Sequence, residues 1–430
     1  MTAFRDAVVP EEASPLVIKP PHADAVRRFL PIILGQAFGL ACGIAGVRLT
    51  STLVPADTLG RYSIFLTFAS VGMWAVHAGV IKFTVRHWAH APDQRALARQ
   101  IARAGARKLP WLVLACLGGA WATDPMNWPR LWPFLVLAAI SLSTATIAQI
   151  ALQAAREYWR DSAVLAVGSA GRSFLPPLLF AASQQALALY VGFGFSTLLL
   201  ATAGLWALHR SLKPPGIHGA VSALPAVYEG PLFVVLATAG WALLGLGRWI
   251  MAFYFGVEAT GYFSLASNLA TLVPSVLGTI FLLYFQPGFF AAPLDTPADR
   301  AALAQRVDRV ALTHAACALL ALFILRWVSP WLIGPLIAPA YAPALEFLLP
   351  AGCFALAITT GHFYHSLLLA GNRESSCGPV EFTAAGVLVA GSIASAAMGQ
   401  IWFLRWMLIA PVVPWLINRP LARRYFLPVA

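Results

Sequence analysis

The sequence predicts an all-α membrane protein of about twelve transmembrane helices arranged in two six-helix lobes. Three observations lead to this fold class. The 430 residues are 59% hydrophobic and only 11% charged, whereas soluble domains carry about 25% charged residues. The chain contains about twelve apolar runs, most of them long enough to cross a bilayer. A passage from the first half recurs in the second half, as in proteins built from two similar halves.

The apolar runs define the predicted helices, because a helix needs about 20 apolar residues to span the hydrocarbon core. The runs are residues 29–54, 62–81, 109–123, 131–153, 162–181, 185–208, 231–255, 262–286, 309–328, 343–370, 380–398 and 400–418. They are continuous rather than alternating, which excludes a closed β-barrel. Thr296-Pro297-Ala298-Asp299 has the cap, proline and acidic residue of a helix start, and predicts an extension before the ninth run.

The basic residues predict the orientation. With the N-terminus inside, 22 lysines and arginines fall in inside segments and 3 fall outside, as the positive-inside rule requires. This asymmetry predicts that both termini are cytoplasmic. It also accounts for the net charge of +12, so we predict no nucleic-acid partner.

The loops divide the chain into five predicted segments. The longest loop is rich in proline and glycine and lies midway along the sequence. We therefore predict a cytosolic tail at 1–28, an N-terminal six-helix lobe at 29–208, a cytosolic linker at 209–230, a C-terminal six-helix lobe at 231–418 and a cytosolic tail at 419–430.

The repeated passage reads VPADTLGRYSIFLTFAS at 54–70 and VEATGYFSLASNLATL at 257–272. Each copy has a short acidic turn, then glycine, an aromatic residue and serine, and then opens an apolar run. Gly60 and Gly261 are 201 residues apart, about half the chain. The passage predicts equivalent outside turns before the second and eighth runs.

Charged residues inside apolar runs are candidates for function, because each costs about 2.5–3.5 kcal/mol on insertion scales. Arg48 lies 12 residues before Gly60, and Arg248 lies 13 residues before Gly261. These two arginines thus occupy nearly equivalent places. Arg172 lies near the middle of the fifth run, among small residues that favour close helix packing.

We hypothesise that Arg48, Arg172 and Arg248 line a central cavity and bind an anionic substrate, with His362 and His365 of the tenth run near it. The alternative for each arginine is that it snorkels to a headgroup or holds a helix end. The alternative for each histidine is a role in packing.

A second group of basic residues forms a predicted stripe. Arg95, Arg99, Arg103 and Arg107 recur every four residues, so on a helix they share one face. The stripe would contact anionic membrane lipids, or a lipid diphosphate before it enters the cavity. The alternative is a topology signal on a solvated face.

Several kinds of chemistry lack their sequence signals. The five cysteines show no CxxC and no Cys/His metal spacing, so we predict neither disulfides nor a metal site. No Walker-type motif is present, which argues against ATP hydrolysis by the chain. Acidic residues are scarce in the apolar runs, which disfavours cation exchange. No large outside loop carries paired acids, so we predict no enzyme and no cofactor.

Three passages carry a family resemblance. They are LVPADTLGRYSIFLTFASVGMWAVHAGVIKFTVRHWA at 53–89, GRWIMAFYFGVEATGYFSLASNLATLVPSVLGTIFLLYFQP at 247–287, and LIGPLIAPAYAPALEFLLPAG at 332–352. They resemble the polysaccharide (O-antigen type) flippase family, whose superfamily also contains multidrug and toxic-compound exporters. Gly247 departs from the pattern, because family members often have an acidic residue there.

The resemblance implies a MATE-like fold in the cell inner membrane. It implies translocation of a polyprenyl-diphosphate-linked oligosaccharide for surface polysaccharide biosynthesis, such as lipopolysaccharide O-antigen or exopolysaccharide, by alternating access. The implied partners are this lipid-linked substrate, a polysaccharide polymerase and assembly proteins. Two alternatives stay open: a multidrug or toxic-compound exporter on the same fold, and a membrane polymerase or glycosyltransferase of the same pathway.

Overall fold

The computed structural model of the chain describes residues 24–88, 91, 93–212, 231–290, 292–371 and 373–427, and these residues contain helices and no β-strand. The α-helices are α1 (Asp24–Leu53), α2 (Ala56–His87), α3 (Gln94–Arg107), α4 (Leu109–Thr123), α5 (Trp128–Ala154), α6 (Tyr158–Ser183), α7 (Ala186–Ser211), α8 (Pro231–Ala270), α9 (Leu272–Phe290), α10 (Pro297–Leu332), α11 (Leu345–Ala370), α12 (Glu374–Ala397), α13 (Gln400–Ile409) and α14 (Arg419–Phe426).

These helices form an all-α membrane fold of about twelve passes in two lobes, as predicted. Nine stretches of the described residues are helical, long and apolar enough to cross a membrane. Helix α4 is a shorter apolar helix. Helix α8 changes direction at Gly256, whose φ of 88° lies in the left-handed region that glycine adopts easily. The residues before and after this kink make separate passes.

Some helices extend beyond the apolar runs that predicted them. Helix α2 extends past its run of 62–81 at both ends, and α10 begins twelve residues before its run of 309–328. The start of α10 is the predicted one: the Thr296 hydroxyl accepts from the amide of Asp299, and the Asp299 carboxylate accepts from the amide of Thr296. The predicted N-terminal tail up to residue 23 and the linker from 213 to 230 lie outside the described residues.

The apolar core is shared by the lobes at one end of the bundle and divided at the other. We call the end with the turns near residues 54, 184, 256 and 398 the predicted outer side. There, one cluster of buried side chains includes Phe65 of α2 and Phe263 of α8. On the predicted inner side, the described residues form one cluster around Phe83 in the N-terminal lobe and another around Phe363 in the C-terminal lobe.

The closest approach of the lobes is a reciprocal contact made by the repeated passage. A Cβ atom built on Gly60 would overlap the carbonyl oxygen of Val257, and one built on Gly261 would overlap the carbonyl oxygen of Ala56. Glycine is therefore required at both positions for the backbones to come this close. We call these four residues the glycine contact.

Two hydrogen bonds add to the glycine contact. The Ser51 hydroxyl accepts from the amide of Ala338 at 3.1 Å, and the Tyr341 hydroxyl donates to the carbonyl of Val54 at 2.8 Å. The bonds join the last turn of α1 and the residue that follows it to the segment between α10 and α11 on the predicted outer side. The described structure is thus closed between the lobes at that side.

Asp308 of α10 anchors the C-terminal helix α14. Its Oδ2 accepts from Nε of Arg419 at 3.0 Å and from Nη2 of Arg423 at 2.7 Å. We expect Asp308→Asn to destabilise the protein by about 1–2 kcal/mol, less than for a fully buried pair, because both arginines are partly exposed. Thermal unfolding in detergent measures the effect, and Asp295→Asn, which removes an exposed carboxylate, is the matched control. Equal unfolding midpoints for the two variants would contradict this account.

Candidate functional site

A cavity of about 600 Å³ lies directly inside the glycine contact. Leu59, Tyr62 and Ser63, which flank or follow Gly60, line its wall. Helices α1, α2, α5, α6, α7, α8 and α9 all contribute to the lining. We call this space the central cavity. Substrate in the central cavity would be separated from the predicted outer side by the closed contact between the lobes.

Arg172 of α6 lies in the wall of the central cavity, with an exposed side chain. Its Nε donates to the Gly168 carbonyl of its own helix at 3.1 Å. That bond ties the guanidinium group to its own helix through Nε. Gly168 and Gly171 bring α6 close to Leu200 and Ser196 of α7, so the small residues around Arg172 serve helix packing, as predicted.

Arg248 of α8 lines the same central cavity. Its Nη2 donates to Oδ1 of Asn268 at 3.1 Å, and its buried Nε has no hydrogen-bond partner in the described structure. Asn268 also lines the cavity. A guanidinium group that lines a cavity and is held by a single amide oxygen is suited to bind an anionic ligand.

Arg48 is placed differently from Arg248. Its Nη1 donates to the carbonyl of Gly334 in the segment after α10, and it is absent from the described lining of the central cavity. The offset of the repeat is 201 residues, so the equivalent of Arg248 is Val47, which does line the cavity. One residue turns an α-helix by about 100°. Arg48 therefore helps to join the lobes on the predicted outer side.

The histidines of the tenth run also lie apart from the described cavity lining. The ring of His365 contacts the carboxylate of Glu381 on α12, and His362 is exposed. His314 of α10 is buried between the rings of Phe281 and Phe363. A binding role for His362 or His365 stays a prediction.

The central cavity also has uncharged polar lining residues for which the sequence patterns gave no binding role. These residues are Thr50, Ser63, Ser70, Thr146, Gln149, Ser169, Ser173, Asn268 and Thr271. Hydroxyl and amide groups cost little in an apolar run, so they stand out less than arginines. Arg172 and Arg248 are the charged residues of the described lining, and the cavity is therefore cationic.

Asp161 is a buried acidic residue that no sequence pattern indicated. It lies in the first turn of α6 and is 8% exposed. Its Oδ2 accepts from Nε2 of Gln153 at 2.9 Å, while Oδ1 has no partner in the described part of the chain. Gln149, one helical turn from Gln153, lines the central cavity. A buried carboxylate thus lies close to the inner end of the cavity wall.

Comparisons with known proteins identify the fold. No family model and no curated protein matches the sequence. The chain is similar to the solved structure described as "Lipid II flippase MurJ, inward closed conformation", with 11% identity over 93% of this chain and 87% of that chain and a TM-score of 0.59. It is also similar to "Crystal structure of MATE in the straight conformation", with 12% identity over 93% of this chain and 96% of that chain and a TM-score of 0.54.

A third similar structure is described as an inward-facing multidrug resistance MATE family transporter of the MOP superfamily. It shares 11% identity over 93% of this chain and 98% of that chain, with a TM-score of 0.51. The chain has a MATE-like fold. The similarity covers nearly the whole chain, so the two lobes belong to one MATE-like architecture and not to separate modules. These neighbours are described as transporters or flippases and not as enzymes.

Proposed function

We propose that this protein moves a polyprenyl-diphosphate-linked oligosaccharide from the inner to the outer leaflet of the cell inner membrane, by alternating access. The observation that carries the proposal is the pair Arg172 and Arg248 in one cavity between the lobes, with no acidic residue in its described lining. Both termini would be cytoplasmic, and the product would supply surface polysaccharide synthesis.

The arginines match the charge that has to cross the membrane. A diphosphate cannot enter hydrocarbon unpaired, because burying a charge without a partner is prohibitive. The guanidinium group stays charged and binds phosphate oxygens through two parallel N–H donors. The hydroxyl and amide groups of the cavity wall offer hydrogen bonds for sugar hydroxyls.

The lipid tail would remain in the bilayer while the headgroup crosses. Each buried methylene contributes about 0.8 kcal/mol, so removing a long polyprenyl chain from hydrocarbon is strongly disfavoured. Alternating access satisfies both demands, since the lobes separate on one side at a time. The glycine contact is the part that would have to open for release on the outer side.

The fold of the neighbours is compatible with this proposal, since one of them is described as a lipid II flippase. A multidrug exporter is the second candidate, because other neighbours are MATE transporters. A cationic drug would be repelled by Arg172 and Arg248, so the charge of the central cavity favours an anionic substrate.

The test is deletion of the gene in its native host. We expect the undecaprenyl-linked oligosaccharide to accumulate on the cytosolic leaflet, where an impermeant lectin or enzyme added outside intact cells cannot reach it. Expression of the wild-type protein should restore exposure to the outside. Normal exposure of the lipid-linked sugar in the deletion strain would contradict the proposal. Increased sensitivity to cationic drugs with unchanged lipid-linked sugar would support the exporter instead.

A further inference from the structure

A second cavity lies between the surface helix α3 and the N-terminal lobe. Its volume is about 320 Å³, and its wall is formed by α3, α5 and α7 together with Trp88 and Leu109. It shares no described lining residue with the central cavity. Ser143 and Thr144 of α5 face the second cavity, whereas Leu142 and Thr146 face the central one. Helix α5 therefore separates the two spaces, and we call the second one the α3 recess.

The sequence of α3 explains why the recess exists. The helix begins at Asp93, whose Oδ1 accepts from the amides of Arg95 and Ala96 at 2.8 and 2.9 Å. Leu97 and Ile101 are buried against the lobe. Apart from Ile101, the residues of α3 that line the recess are small, namely Ala98, Ala102, Gly105 and Ala106. These side chains are too short to fill the space between α3 and the helices behind it.

The arginine stripe borders the recess. Arg95, Arg99 and Arg103 are exposed. On a helix, residues three and four apart are neighbours, so Arg99 lies next to Ala102, and Arg103 lies next to Ala106. An apolar space open at the surface thus adjoins a row of positive charges on the predicted inner side. This arrangement complements a molecule that has an apolar chain and an anionic headgroup.

We propose that the α3 recess binds an anionic glycerophospholipid of the inner leaflet, with one acyl chain among the small residues and the phosphate on Arg99 and Arg103. A membrane lipid fits better than the transported substrate, because α5 lies between the recess and the central cavity. The recess also has about half the volume of the central cavity, which suits a single acyl chain. The bound lipid would hold α3 on the lobe at the membrane surface.

The test measures phospholipid binding to the purified full-length protein by native mass spectrometry in detergent. We expect palmitoyl-oleoyl-phosphatidylglycerol to bind more tightly than the phosphatidylcholine with the same chains. A basic residue near an anionic headgroup contributes about a fivefold change in affinity. The double variant Arg99→Gln/Arg103→Gln should therefore bind phosphatidylglycerol about 25-fold more weakly. Arg130→Gln, which removes an exposed arginine on the predicted outer side, should bind it as the wild type does.

A second variant tests the apolar part of the site without changing charge. Ala102→Leu fills the recess and should weaken phosphatidylglycerol binding, whereas Ala96→Leu, on another face of α3, should not. Three results would each overturn the proposal. The first is equal binding of phosphatidylglycerol and phosphatidylcholine by the wild type. The second is equal binding of phosphatidylglycerol by the double arginine variant and by Arg130→Gln. The third is equal binding of phosphatidylglycerol by the two leucine variants. Competition by glycerol phosphate as effective as by the intact lipid would also overturn it, because that headgroup has no acyl chain.

Discussion

Replacing Gly60 or Gly261 with valine is expected to lower transport strongly while leaving a folded protein. The side chain would overlap a carbonyl oxygen of the opposite lobe in the glycine contact. A backbone oxygen cannot move aside as a flexible side chain does, so the lobes would have to separate on the predicted outer side. Overpacking of this kind costs about 1–3 kcal/mol. That free energy shifts the equilibrium between closed and outward-open states by about 5- to 150-fold.

Thiol labelling of intact cells measures this shift. Thr50 lines the central cavity, and Thr50→Cys in a chain whose five natural cysteines are replaced provides the reporter. Addition of Gly60→Val should increase its reaction with an impermeant reagent added outside. Gly118→Val is the matched control, since a Cβ on that helical glycine meets no atom within 4 Å. Labelling and transport that are the same in both valine variants would show that the glycine contact does not control outward opening.

Removing both cavity arginines is the second large effect that we expect. Arg172→Gln or Arg248→Gln should each lower transport about 10- to 100-fold, because a hydrogen bond to a charged group contributes about 1.5–3 kcal/mol. The double variant should have no activity above background. Arg172→Lys should retain part of the activity, since lysine supplies the charge without the planar pair of donors.

Arg405→Gln is the matched control for this series. Arg405 also lies within an apolar run, but it stacks over the ring of Trp402, 5.0 Å from its centroid, and is absent from the described cavity lining. Transport is measured at equal protein levels, as exposure of lipid-linked oligosaccharide on the outer leaflet. Full activity in Arg172→Gln and Arg248→Gln would remove these arginines from the mechanism, whatever the substrate.

Much of the fold was predictable because each membrane helix is determined by its own stretch of sequence. An apolar run of sufficient length specifies a pass by itself, and the cap at Thr296 specifies a helix start by itself. Helix ends were less predictable, because a helix continues past the hydrocarbon as long as its backbone bonds are satisfied. The turn at Gly256 interrupts the helix at a single residue, whereas the gap between the apolar runs predicted a turn of about six residues.

The candidate site was only partly predictable because it depends on the angle at which a side chain leaves its helix. The structure places Arg172 and Arg248 in the wall of the central cavity, while the one-residue offset directs Arg48 to Gly334. The contact between His365 and Glu381 joins two helices. The spacing of residues within a single helix cannot predict a contact of this kind. Asn268 accepts a hydrogen bond from Arg248, which lies 20 residues earlier in the chain. A single amide side chain in an apolar run does not predict this role.

The glycine contact has a consequence for how the two halves of the chain recognise each other. Val257 is the repeat equivalent of Ala56, as Gly261 is of Gly60, so residue pairs 60–257 and 56–261 are the same pair seen from each half. This is the pattern of an isologous interface in a homodimer with two-fold symmetry. The glycine contact thus gives the two halves of one chain the local symmetry of a dimer interface. A larger residue at either glycine would therefore disturb the same kind of contact from the opposite half.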